Sequence, residues 1–113
     1  MTTVFDLTVL KALANHDDAK LRKYAQLFVA SLEEVLVQVD DGIDRADIAL
    51  LAAMGHRAKS TALNIGAADL GHQCLLLEQA ATAGDVAAAI VLAQSLRPMF
   101  LPIRTALLQV SQK

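Results

Sequence analysis

Aromatic residues are scarce in this chain: 113 residues hold no Trp, one Tyr and three Phe. A core must therefore be built from aliphatic side chains. Val, Ile, Thr and the few rings are also too dispersed to mark several strands, which argues against a sheet. Proline is rare, with two residues, and glycine numbers five, so the chain has few places to break. The single cysteine, Cys74, has no partner for an internal disulfide, so nothing suggests an oxidising compartment. Charge of one sign is missing too: 10 basic residues stand against 12 acidic ones, for a formal net charge of −2. That balance leaves no electrostatic footprint for nucleic acid and no basic run for an anionic membrane. No apolar segment reaches the roughly 18 uninterrupted residues of a membrane helix. The first residues, Met1 to Leu13, lack the basic start and long apolar stretch of a signal peptide. The expectation is one soluble, cytoplasmic domain over residues 1–113, without nucleic acid or membrane as partner.

What is present is helix-forming sequence. Alanine and leucine supply much of the 55% hydrophobic content. The spacing predicts five helical segments. A short one covers Asp6 to Ala14, with Leu7, Leu10 and Leu13 three apart. Asn15-His16-Asp17-Asp18 forms a turn in which Asp17 or Asp18 caps the next helix. The second segment, Asp18 to Asp40, has the clearest apolar stripe: Leu21, Tyr24, Ala25, Phe28, Leu32, Val35, Leu36 and Val39. Gly42 is expected to end it. Asp44 reads as the N-cap of a third helix reaching Ile65 and stopped by Gly66. The fourth runs from Ala67 to Ala83, and the fifth from Asp85 to Val110, with a bend or break expected near Pro98. Four long amphipathic segments with short connections give an all-α fold, an antiparallel up-down four-helix bundle with a short extra N-terminal helix.

The third helix carries the unusual residues. At about 100° per residue, Met54, Ala58 and Ile65 lie within roughly 20° of the side opposite His56, with Leu51 and Ala62 close by. These five form the core stripe, so His56 points to solvent. Its own face holds Ala49, Ala52, Ala53, Lys59, Ser60 and Leu63, with Gly55 adjoining and Arg57 flanking. Small residues around one His and one Lys leave room for a partner surface to approach the imidazole. Neutral imidazole is a good nucleophile near pH 7. Lys59, one turn away, can offset phosphate charge. Phosphoryl transfer rests mainly on positioning and charge stabilisation. No glycine-rich nucleotide loop and no carboxylate cluster for magnesium accompanies them, so autonomous kinase activity is not expected.

The other candidates read as ordinary. His16 suits a solvated turn. His72 and Cys74, two apart on a helix, point about 200° away from each other and cannot share an ion; no metal site is expected. Glu78 reads as a surface or helix-pairing residue.

The stretch Gly55-His56-Arg57-Ala58-Lys59-Ser60-Thr61-Ala62-Leu63-Asn64-Ile65-Gly66-Ala67 resembles the motif of the histidine-phosphotransfer (HPt) family. That motif has an exposed His, a Lys three residues later and Gly-Ala at ten and eleven. Leu70, Cys74, Leu77 and Glu78 resemble the family's next helix. Where the family often has Ala, Leu and Gly, this chain has Gly55, Ala58 and Ser60. The resemblance implies that His56 accepts a phosphoryl group from a receiver-domain aspartate and passes it to another receiver. It implies that Lys59 supports the charge and that Gly66 closes the helix. The partners implied are receiver domains of hybrid sensor kinases and response regulators, with no intrinsic cofactor and with magnesium on the receiver. A monomer is expected. Two rival readings stay open: a non-catalytic helical interaction module, and the phosphoacceptor domain of a chemotaxis-type kinase.

Overall fold

The computed structural model describes residues 6–112, which form five helices and no strand. These are α1 (Leu7–Leu13), α2 (Asp18–Asp44), α3 (Ile48–Asn64), α4 (Ala68–Thr82) and α5 (Val86–Ser111). Aspartate starts four of them. Asp6, Asp17, Asp47 and Asp85 each accept a hydrogen bond from a first-turn amide, at Thr8, Lys20, Leu50 and Ala88, over 2.9–3.1 Å. An acidic cap satisfies an otherwise orphaned N–H and complements the positive end of the helix dipole. Only α4 lacks such a cap: its N-cap position is Ala67, fully buried.

The bundle is up-down. Across α2 and α5, Asp40 pairs with Arg97 and Glu33 with Arg104, so residue numbers rise along one helix as they fall along the other. Across α3 and α4, His56 meets Glu78 near the middle, and Gly71 lies against Leu63 near the turn. Across α4 and α5, Gln73 donates to Ser95. With Gly42 against Leu51 and Glu34 paired to Arg57 across α2 and α3, the four long helices each run antiparallel to their sequence neighbour, and α5 closes the ring against α2. The result is a rod with extents of 43 × 23 × 23 Å.

Its axis is filled as the apolar stripes predict. Val35, Val39, Leu51, Leu77, Leu96, Phe100 and Leu107 are among its most deeply buried side chains. On α3 the core positions are Leu51, Ala58 and Ala62, followed by Ile65 at the C-cap; Met54 is only half-buried. Helix α1 crosses the end of the bundle. Leu10 is fully buried, and the Asp6 amide donates to the Gly66 carbonyl at 3.0 Å.

Two boundaries differ from the sequence reading. Gly42 does not end α2. It is buried inside the helix, where a Cβ would stand 2.8 Å from Leu51 Cδ2. Its role is close approach to α3, not a left-handed cap. Helix α2 therefore runs on to Asp44, and Asp47 takes the N-cap position expected of Asp44. The reversal is made by Ala46 at φ +50°, with the Asp47 amide donating to the Gly42 carbonyl.

No break occurs at Pro98: α5 is continuous through both prolines. Both prolines are exposed, so the carbonyls they deprive of donors, at Gln94 and Pro98, lie on the watered side of the helix. Helix α5 is long and apolar enough to cross a membrane by length and composition. In the bundle its Ala89, Ala93, Leu96, Phe100, Ile103 and Leu107 are buried.

Gly66 at φ +72° makes the α3–α4 turn, and a Cβ there would meet Asp6 Cβ at 2.8 Å and the Asp6 backbone at 3.0 Å. Left-handed backbone costs an L-residue about 1–2 kcal/mol. Ala46→Gly should therefore stabilise the domain by about 0.5–1 kcal/mol, after the loss of Gly chain entropy. Gly66→Ala should destabilise it by at least ~1–2 kcal/mol. Denaturant unfolding of the two variants checks both signs.

Candidate functional site

His56 stands at the midpoint of α3, with its side chain 67% exposed. The helix wheel turns it outward because Leu51, Ala58 and Ala62 hold the opposite side in the core. Its Nδ1 lies 3.1 Å from Glu78 Oε2 on α4. The same oxygen accepts a hydrogen bond from Lys59 Nζ, also at 3.1 Å. One carboxylate oxygen thus joins the two α3 residues that the sequence singled out.

An ionised carboxylate can only accept hydrogen bonds. Nδ1 must therefore carry the proton in this contact, which leaves the lone pair of the neutral ring on Nε2. Glu78 fixes the tautomer as well as the ring's orientation. The hydrogen bond from Lys59 and, after it, the one from His56 hold the Glu78 carboxyl below the usual carboxylate range, against desolvation between the helices.

The close approach of α4 is made possible at Gly55. A Cβ there would sit 3.1 Å from the Cys74 carbonyl and 3.4 Å from the Glu78 amide. The missing side chain lets the α4 backbone lie against α3 one residue from His56. Gly55 is consequently buried, which corrects its expected place on the exposed docking face. Behind it, Cys74 is buried, and burial pushes its thiol up to about 12. It is a core residue with no thiolate to offer.

The rest of the face is sorted by exposure. Ala49, Ala53, Ser60 and Leu63 are exposed, and Ala52 is half-buried. With His56, residues 49, 53, 60 and 63 form one outward ridge along α3. Leu63, 59% exposed, is its one large apolar side chain. Arg57 does not share it: its guanidinium turns to α2 and pairs with both Glu34 carboxylate oxygens at 3.3–3.4 Å. Asn64 is exposed at the end of α3, and His72 is exposed on α4. Among the described residues, no group of three or more His, Cys, Asp or Glu is arranged to hold a metal ion.

Residues 23–112 match the Hpt domain family. The chain belongs to that family. The Hpt domain's fold is similar to the crystal structure of histidine-containing phosphotransfer protein B from Pseudomonas aeruginosa PAO1. The TM-score is 0.90 at 25% sequence identity, over 99% of this chain and 97% of that one. No match was found among curated protein sequences.

Glu78 is the site residue that sequence reasoning missed, having been read as surface or helix-pairing. The α3–α4 turn could have exposed it. In an antiparallel pair, residues at similar distances from the turn face each other, and His56 and Glu78 lie at similar distances either side of Gly66.

A depressed carboxyl contributes stability that is present above the ordinary carboxylate pKa and lost as pH falls through the folded-state value. Acid titration of Glu78 by NMR should give a midpoint below that of Glu in an unfolded chain. Glu78→Gln should flatten the acid limb of the stability curve. Gly55→Val should lower stability by about 1–3 kcal/mol through overpacking against α4. It should also lengthen the His56–Glu78 contact, seen as a shift of the Glu78 midpoint towards its ordinary value.

Proposed function

We propose that this Hpt domain is a phosphorelay carrier whose phosphoacceptor is His56. It takes a phosphoryl group from a receiver aspartate of a hybrid sensor kinase and passes it to the receiver of a response regulator. The observation that carries this reading is the exposed His56 ring bonded through Nδ1 to Glu78, which frees Nε2. Family membership and the similarity to a histidine-containing phosphotransfer protein support it.

In the step proposed, the Nε2 lone pair attacks the phosphorus of the aspartyl phosphate. The N–P bond forms as the P–O bond to the aspartate breaks, and the aspartate carboxylate leaves with the electron pair. The ring keeps its Nδ1 proton and gains positive charge, which the Glu78 carboxylate beside it offsets. Lys59, held at the same carboxylate, brings an ammonium near the transferring group. Onward transfer is the reverse attack by a second receiver's aspartate. Magnesium belongs to the receivers, and no intrinsic cofactor is called for.

The ridge of small residues, Ala49, Ala53 and Ser60, lets a receiver surface come close to Nε2, and Leu63 offers it an apolar contact. Arg57, engaged with Glu34, sits at the rim of this face. The reading makes the domain a carrier between cytoplasmic receivers.

A labelled aspartyl-phosphate receiver, mixed with the domain, tests this. Wild type should acquire acid-labile, alkali-stable label. His56→Gln should acquire none while keeping the wild-type circular dichroism, because the side chain is exposed. Lys59→Ala should slow transfer about 10- to 100-fold without abolishing it, the order of one lost charge-assisted contact. Label retained on folded His56→Gln would refute the assignment.

A further inference from the structure

Ser60 and Thr61 are neighbours on α3 whose hydroxyls are used differently. Thr61 is buried, and its hydroxyl donates to the Arg57 carbonyl one turn back at 3.3 Å. On α5, Ser95, Thr105 and Ser111 likewise donate to the carbonyls of Leu92, Leu101 and Leu108. Ser60 is exposed, and among the described residues its hydroxyl has no hydrogen-bond partner. Within the four long helices Ser31 and Thr82 share that freedom, but of the three only Ser60 stands on the helix of His56.

At about 100° per residue, Lys59 lies about 60° round the helix from His56 on one side, and Ser60 about 40° on the other. The contacts identify the two sides. Gly55 and Lys59 meet α4, at the Cys74 carbonyl and at Glu78, whereas Arg57 meets α2 at Glu34. Ser60 therefore flanks His56 on the α2 side. Residues four apart on a helix have Cβ atoms roughly 5–6 Å apart. Helical side chains lean towards the N-terminus, which tips the Ser60 hydroxyl back to the turn that holds His56.

The imidazole is turned towards the same flank. Its Nδ1 faces Glu78 on α4. The two ring nitrogens point in nearly opposite directions, so Nε2 faces away from α4, to the side that Ser60 occupies. A phosphoryl group on Nε2 brings three acceptor oxygens there. Lys59 stands on the other flank, with its Nζ already bonded to Glu78. Ala53 beside Ser60 has no side-chain donor to give. We propose that Ser60 is a phosphoryl-binding residue: its hydroxyl donates to an oxygen of the phosphoryl group on Nε2 and stabilises phosphorylated His56. This rests on His56 being the phosphoacceptor, and adds a residue that acts only once the group has arrived. Alanine in its place keeps the ridge small and leaves the phosphoryl group without this donor.

Phosphoramidate phosphorylates histidine without a receiver, so the full chain can be tested directly. His16 and His72 are also exposed, and a background of His16→Asn and His72→Gln leaves His56 as the one histidine. Phosphorus NMR then follows the phosphoryl group as pH is changed. A hydrogen bond to the ionised oxygens favours the more ionised form. The titration midpoint in Ser60→Ala should therefore lie above that of Ser60, and Ser60→Thr, which keeps the hydroxyl, should stay close to Ser60. With a labelled receiver, the equilibrium constant for label on the domain should fall about 3- to 10-fold in Ser60→Ala, the order of one net hydrogen bond. Circular dichroism should be unchanged, because the side chain is exposed. An unchanged midpoint, or an unchanged equilibrium, in folded Ser60→Ala would overturn the proposal and leave His56 as the carrier. A Ser60→Thr chain that behaves as Ser60→Ala would overturn it too. Label on His56 from neither phosphoramidate nor a receiver would refute the carrier reading, and the role of Ser60 with it.

Discussion

At Gly55 the α3 and α4 backbones lie against each other with no side chain between them. That approach sets the depth at which α4 is seated, and hence the reach of Glu78 to His56 and Lys59. The Cys74 carbonyl and the Glu78 amide sit where a Cβ at Gly55 would be crowded. A glycine within a helix costs about 1 kcal/mol relative to alanine. In exchange the helices approach closely enough for one carboxylate oxygen to reach both α3 residues at 3.1 Å. The turn below supports the same geometry. Gly66 adopts a left-handed conformation that leaves no slack between α3 and α4, and the Asp6 amide bonds to its carbonyl.

The three-residue cluster couples folding to the proposed chemistry. Glu78 is held ionised by two donors, so it acts as a fixed negative charge beside a ring that gains positive charge when Nε2 forms a bond to phosphorus. Lys59 neutralises that charge in the resting state and stands one turn along the helix from the ring. His56 itself projects into solvent. Beneath the cluster, Cys74 and Leu77 are fully buried. The site is thus an exposed nucleophile over a rigid floor, suited to a partner that brings the reactive phosphoryl group with it.

Much of this was legible in the sequence because it depends on local spacing. The 3.6-residue period of Leu32, Val35, Leu36 and Val39 gave the longest helix. The stripe Leu51, Ala58, Ala62 turned His56 outward, and Asp6, Asp17 and Asp85 marked the starts of α1, α2 and α5. What escaped depends on contacts between helices. Gly42 looks like a helix stop, but it is spared a side chain to admit Leu51. Gly55 looked like part of an open face, but it is where α4 packs. Arg57 flanks His56 in sequence, yet Glu34 draws it to α2. Pro98 and Pro102 suggested a bend or a break; there is no break, because they fall on the solvent side of α5, where water serves the freed carbonyls. Glu78 needed the α3–α4 register, which follows from the turn at Gly66 and not from any motif within α4.

Glu78 holds His56 with its proton on Nδ1 and its lone pair on Nε2. Long-range proton–nitrogen NMR of the imidazole tests it most directly, at a pH where the ring is neutral. A protonated, pyrrole-type Nδ1 and a pyridine-type Nε2 are expected, with that preference weakened in Glu78→Gln. A pyridine-type Nδ1 in the wild-type domain, or a tautomer indifferent to Glu78, would contradict it.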